Sequence, residues 1–311
     1  MDYRQLGNSG LMVSEIGLGT NQFGGKVDLK TTKKIIRAAV EAGINLIDTA
    51  DIYQDGRSEE FIGKAVSGIR DQVLIATKVH YSVGGGPNQR GSSRHHIMEG
   101  VEASLRRLNV DMIDLYQLHD WDERTPIQET MRALDDLVSS GKVRYLGASN
   151  FSSWQVTHAN ALAELKGWSA FVSVQPHYNM LVREIEERLL PACEYFGWGV
   201  LPYFPLAGGF LTGKYKQDEE PPEGSRGETS EYVQQFMTPE NYRKIERLDE
   251  FAQARGHTMT ELAHAWLLSQ PQVSSVISGA TRVEHVTSNA QAAGWKLTEA
   301  DLEEVEGILE D

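Results

Sequence analysis

Short apolar runs recur along the chain, and each is followed by a longer segment whose apolar residues return every three or four positions. The runs are SEIGLG (14–19), INLID (44–48), QVLIATK (72–78), MIDLYQLH (112–119), VRYLGAS (143–149), FVSVQ (171–175), GVLPY (199–203) and SSVISG (274–279). Most are apolar on both alternating faces, as buried parallel strands are. The segments between them read as amphipathic helices. Ile97, Val101, Leu105 and Leu108 share one face after Ser92 and Ser93. Thr125-Pro126-Ile127-Gln128 reads as a capping box with proline at the first helical position. Ile127, Met131, Leu134 and Val138 carry that helix on, and Gly141 ends it. Thr258 with Glu261, and Thr298 with Asp301, mark further helix starts. Ahead of the first run, DYRQL and LMVSEIGLG flank a GNSG turn, which predicts a β-hairpin.

Eight strand–helix units at roughly 30-residue spacing, over somewhat more than ~250 residues, predict a (β/α)8 TIM barrel forming a single domain over residues 1–311. The alternative is an open doubly wound sheet. Its glycine fingerprint fails here, because GLGTNQ (17–22) has Gln22 where the third glycine belongs, and no GxxxxGK[ST] is present. Two long stretches break the rhythm: HYSVGGGPNQRGSSR (80–94) after the third strand and KQDEEPPEGSRGETSEY (216–232) after the seventh. In a barrel both fall on the C-terminal face, where active sites sit.

Charge narrows the class of partner. The formal net charge of -14 argues against nucleic acid and against an anionic membrane surface, while leaving room for a local basic pocket. No apolar run approaches the ~20 residues that span a bilayer. The single cysteine, Cys193, forms no internal disulfide, and MDYRQLGNSG has no apolar leader core, so a cytoplasmic protein is expected.

The strand ends carry the chemistry. Asp48 ends the second run, Lys78 the third and His119 the fourth, and Tyr53 lies just beyond Asp48. In a barrel the four converge at one mouth. A tyrosine with an unperturbed pKa of about 10 is a poor acid near neutrality. A lysine ammonium beside it stabilises the phenolate, and an aspartate keeps that lysine charged. A histidine can donate a hydrogen bond to a carbonyl oxygen. Each residue alone has an ordinary explanation: a helix cap, a half-buried aromatic, a solvated charge, a core histidine. Their conjunction at successive strand ends favours proton donation to a carbonyl oxygen that receives hydride at its carbon.

These stretches resemble the aldo-keto reductase superfamily. The resemblance is carried by GLGT (17–20), LIDTADIYQDGRSEEFIGKAV (46–66), IATK (75–78), SLRRLNVDMIDLYQLH (104–119), GKVRYLGASNF (141–151), QPHYN (175–179), LPYFPLAGGFLTGKY (201–215) and ISGATRVEHVTSNAQA (277–292). It covers nearly the whole chain in order, and is closest to the bacterial branch that also resembles potassium-channel β subunits. It implies NAD(P)H-dependent reduction of a small-molecule carbonyl, with Asp48, Tyr53, Lys78 and His119 as the catalytic tetrad. It also implies that Ser149, Asn150 and Gln175 hold the nicotinamide carboxamide and that Tyr203 stacks on its ring. Thr20, Pro205, Leu206 and Gly208 match positions lining the cofactor, and Lys214 matches a lysine near the pyrophosphate. Gly279, Thr281, Arg282, His285 and Asn289 match the adenosine end. Arg282, at a helix start, is the candidate for a 2′-phosphate, so NADPH is expected over NADH. His285 stands where related sequences often have arginine or glutamine, and Ser288 where glutamate is common.

Other residues are read more plainly. Trp121 is the first candidate for a substrate wall, with Phe23, Tyr81 and the 216–232 loop behind it. Asp51 is read as a loop hydrogen-bonding residue, Cys193 as helix packing, and His257 and His264 as ordinary helix residues. His95 and His96 are adjacent on a helix and diverge, so no metal site is expected. Two other functions stay in view. One is a cofactor-sensing accessory protein with vestigial reductase activity. The other is a barrel lyase using Lys78 as a Schiff base, which the Asp48 partner disfavours by keeping the amine protonated.

Overall fold

A computed structural model describes residues 1–82 and 84–310. Val83, within the glycine-rich stretch, and Asp311, the end of the expected domain, lie outside the described residues. The chain opens with an antiparallel hairpin, β1 (Tyr3–Gln5) and β2 (Met12–Ser14). Eight parallel strands follow: β3 (Ile16–Gly19), β4 (Leu46–Asp48), β5 (Leu74–Val79), β6 (Ile113–Leu118), β7 (Val143–Ser149), β8 (Phe171–Gln175), β9 (Gly199–Val200) and β10 (Val276–Gly279). They pair in chain order from β3 to β9, and β10 pairs back onto β3. Single bridges from Val200 to Val273 and from Tyr203 to Ile277 join the two ends of the sheet into a (β/α)8 barrel. All eight apolar runs are strands. β9 keeps only two residues because Pro202 has no N–H for the ladder.

Side chains two apart on a strand face the same side. Leu46, Ala76 and Leu115 belong to a small buried cluster with Leu201 and Ile277. Asp48, Lys78 and Gln117, each two residues further on, are buried polar groups. The lumen is thus apolar below and polar at the C-terminal ends. Leu6 and Val13 of the hairpin join the apolar cluster and close it. That docking needs glycine at position 7. Its φ is +55°, and a Cβ there would come within 2.5 Å of the Gly199 nitrogen.

Most helix starts form as the sequence predicts. Ser93 accepts from the His96 N–H at the head of Arg94–Leu108. Thr258 and Glu261 form a reciprocal capping box, and Thr298 and Asp301 bond each other in the same way. The box at Thr125 does not form. The Thr125 hydroxyl donates to Asp122 (2.7 Å), Pro126 occupies the cap position, and the helix runs Ile127–Ser139. Residues 216–232 hold the short helix Arg226–Thr229 and the start of a second, Glu231–Gln234. No helix among the described residues is long and apolar enough to cross a membrane.

Candidate active site

The register of neighbouring strands brings the tips of β4, β5 and β6 together, since Asp48 pairs with Ala76 and Lys78 with Gln117. Lys78 is fully buried. Its ammonium donates to Asp48 Oδ2 (2.6 Å) and to the Thr49 carbonyl (2.9 Å), and the Tyr53 hydroxyl is a further polar neighbour that acts on its charge. It lies 5.2 Å from the centroid of the Tyr53 ring. Asp48 Oδ1 accepts from Gln175 (2.9 Å) and Gln117 (3.2 Å). Both carboxylate oxygens are therefore satisfied, which keeps the buried pair from being a desolvation liability.

Two shifts follow from burial. The His119 imidazole is pushed down to about 2 by desolvation, with the Lys78 charge adding to the effect, so it is neutral throughout the physiological range. Its ring sits 5.8 Å from that of Tyr53 and 4.9 Å from that of Tyr81, centroid to centroid. Desolvation raises the Tyr53 phenol, and Lys78 pulls it back without overcoming that rise. The expected influence of Lys78 is present, but burial outweighs it.

The nicotinamide candidates gather beside this group. Ser149 donates to the Gln175 carbonyl (2.9 Å), and Asn150 donates to the His119 carbonyl (2.9 Å) while accepting from the Tyr203 hydroxyl (2.9 Å). Asn150 holds a φ of +59°, which asparagine tolerates better than most residues. Tyr203 stacks at 14° on His177, whose Nδ1 bonds the Tyr232 hydroxyl at 2.8 Å, so the 216–232 stretch is tied to the mouth. Thr20 is fully enclosed, its hydroxyl donating to the Asp48 carbonyl (2.8 Å). It buttresses the Asp48 strand end.

Further out, the turn 205–213 carries Pro205, Leu206 and Gly208, with Gly208 at φ +68°. The neighbouring Gly209 admits Lys214: a Cβ at Gly209 would stand 2.8 Å from the lysine Nζ. Gly279 and Thr281 are exposed and Asn289 is buried. Arg282 caps the helix Val283–Ala292 and has only a loose contact to Glu284, at 3.9 Å. Burial and the charges of Arg282 and Lys214 all push the His285 imidazole down, so two cations and a histidine share this corner. Arg226, which the sequence reading passed over, has a desolvated guanidinium 5.6 Å over the Phe204 ring, and no carboxylate pairs with it among the described residues. Its signal was an arginine in the middle of an acidic loop. Donors at a helix start and cations with loose or no carboxylate partners among the described residues fit a dinucleotide bearing phosphates.

The substrate-wall candidates divide. Trp121 packs edge-on against Phe151 (5.2 Å) and the exposed Trp154 (5.5 Å), and Tyr81 donates to Asp120 (2.8 Å); both are half-buried. Phe23 is a correction. It has no exposure and its ring packs in the main core, on a turn closed by the bond from its N–H to the Thr20 carbonyl. Asp51 departs from its expected loop hydrogen bonding: among the described residues neither carboxylate oxygen has a well-formed partner, and only the Ile52 N–H is a weak neighbour. Cys193 is buried, with its thiol pushed up to about 12, consistent with packing. A cleft of about 790 Å³ lined by Gly63, Arg70, Asp114 and Arg144 opens at the start of β5 and β6, at the opposite end from this cluster.

A family model described as "Aldo/keto reductase family" matches residues 15–310. The chain belongs to the aldo/keto reductase family. It is 37% identical over 320 aligned positions to a probable voltage-gated potassium channel subunit beta of Arabidopsis thaliana, covering all of this chain and 97% of that protein. It is also 37% identical to the aldo-keto reductase YhdN of Bacillus subtilis, over all of this chain and 94% of that protein. A versiconal hemiacetal acetate reductase of Aspergillus parasiticus is 33% identical over 98% of this chain and 96% of its own length. As an aldo/keto reductase the chain is an NAD(P)H-dependent oxidoreductase.

Proposed function

We propose that the protein reduces an aldehyde or ketone to the alcohol with NADPH, reversibly, Tyr53 supplying the proton. The observation that carries this reading is the buried Lys78 ammonium, held by Asp48 on one side and facing the Tyr53 hydroxyl on the other. The cofactor, when bound, supplies the hydride. Neutral His119 donates an N–H to the substrate carbonyl oxygen and orients it. As negative charge develops on that oxygen, Tyr53 gives up its proton, because an alkoxide is a stronger base than a phenolate. The phenolate left behind faces Lys78 in a water-poor setting, where their attraction is worth far more than in bulk water. Ser149, Asn150, Gln175 and Tyr203 would hold the nicotinamide end, and Lys214, Arg226, Arg282 and His285 the phosphates. Trp121 and Tyr81 would line the substrate side.

The test is NADPH consumption, followed by absorbance, against a panel of activated aldehydes and ketones. Carbonyl-dependent consumption is expected. Tight NADPH binding with no turnover on any carbonyl would move the weight to a cofactor-sensing role.

Preference for NADPH rests on Arg282. A charge-assisted hydrogen bond is worth about 1.5–3 kcal/mol, so Arg282→Ala should shift the ratio of NADH to NADPH dissociation constants by roughly 10- to 100-fold toward NADH. Fluorescence titration of both cofactors measures it, and an unchanged ratio would sink the assignment.

A further inference from the structure

Behind the tetrad lies a second group of buried charges. Glu59, fully buried on the helix Arg57–Val66, bonds Arg107 of the helix Arg94–Leu108 (2.6 Å) and accepts from Thr77 of β5 (2.6 Å). Asp48 has Lys78. Each cation therefore already holds one carboxylate. Asp51 is the odd carboxyl in this region. It is 1% exposed, and among the described residues neither oxygen has a well-formed hydrogen-bond partner, the Ile52 N–H being only a weak neighbour. Its backbone N–H donates to the Lys78 carbonyl (3.2 Å), so it is fixed against the catalytic strand. The Tyr116 hydroxyl of β6, also buried, is likewise without a hydrogen-bond partner among the described residues. The charged and titratable groups that face Asp51 are Glu59, Arg107, Lys78, Tyr53 and Tyr116.

An unpaired carboxylate buried this way is costly, and the ordinary resolution is to take up a proton. We propose that Asp51 is a positioning residue of the reductase, carried as a neutral carboxylic acid so that the Lys78 charge is shared between Asp48 and Tyr53 alone. The proposal rests on the reductase reading above. Desolvation, with Glu59 adding to it, pushes the Asp51 carboxyl up to about 8. Once ionised, Asp51 would raise the Tyr53 phenol further and make it a poorer acid.

Three measurements on wild type and Asp51→Asn, a neutral near-isostere, test it. In reduction, wild-type kcat should fall as pH rises through about 8, with KM for NADPH unchanged, and Asp51→Asn should lack that limb. In ¹³C NMR of wild type labelled at aspartate carboxyls, one resonance should titrate near pH 8 and be missing from the variant. Stability should follow the same sign. A carboxyl with a raised folded-state pKa binds a proton on folding, so wild-type Tm should decline from the ordinary carboxylate range toward pH 8. The variant should lack that decline. Identical pH profiles for kcat, or an aspartate set that titrates wholly below neutrality, would overturn the proposal. If Asp51→Asn fails to fold, the carboxyl titration of the wild type still decides it. Wild type without turnover would defeat the reductase reading, and the positioning role of Asp51 with it, whatever the carboxyl titration shows.

Discussion

Tyr53→Phe should lower kcat for carbonyl reduction by roughly 10²–10⁴-fold, the usual contribution of a positioned acid. NADPH affinity and Tm should stay close to wild type. The change removes one oxygen from a half-buried ring whose hydroxyl faces Lys78 and whose body packs edge-on against His119. Lys78 keeps its bonds to Asp48 and the Thr49 carbonyl, so no buried charge is orphaned. The measurement is steady-state kinetics on the best carbonyl substrate beside a cofactor titration. A variant retaining more than about a tenth of wild-type kcat would assign the proton to another donor.

Lys78→Met should have the second largest effect, and on two fronts. Removing one partner of a buried ion pair costs about 3–5 kcal/mol, because the remaining charge has lost its counter-ion. Asp48 would keep its amide donors Gln117 and Gln175 but no cation. At roughly 2–4 °C per kcal/mol, Tm should drop by about 6–20 °C. Turnover should fall with it, because the phenolate loses its stabilising charge. The double variant Lys78→Met/Asp48→Asn separates the two effects: it should recover much of the lost Tm and none of the turnover. Thermal denaturation of the four proteins in the cycle reads the coupling, and a single variant as stable as wild type would contradict the buried-pair account.

Much of this was legible in the chain because buried parallel strands are apolar on both faces, and those runs are hard to mistake. The meeting of Asp48, Lys78 and His119 at one mouth was legible for the same reason: a polar residue ending such a run must lie at a strand tip. Loop side chains were harder, because tertiary contacts decide where they point. Phe23 reads as a loop aromatic near a glycine-rich strand end, yet its ring is fully buried in the main core. Thr125 has the sequence of a cap, and Asp122 takes its hydroxyl instead. Asp51 looks like a loop hydrogen-bonder, and only the pairing of Lys78 with Asp48 and of Arg107 with Glu59 shows it to be left over. The direction of the Tyr53 shift was out of reach for a similar reason. Proximity to lysine can be inferred from strand order, but the depth of burial that outweighs it cannot.

The most direct test of the central claim follows the hydride. Wild-type protein would be given NADPH carrying deuterium at both positions of nicotinamide C4, with the best carbonyl of the panel, and the alcohol examined by NMR. One deuterium on the carbinol carbon for each cofactor oxidised is the predicted result. Bound NADPH with no labelled alcohol, or alcohol without deuterium at that carbon, would contradict it.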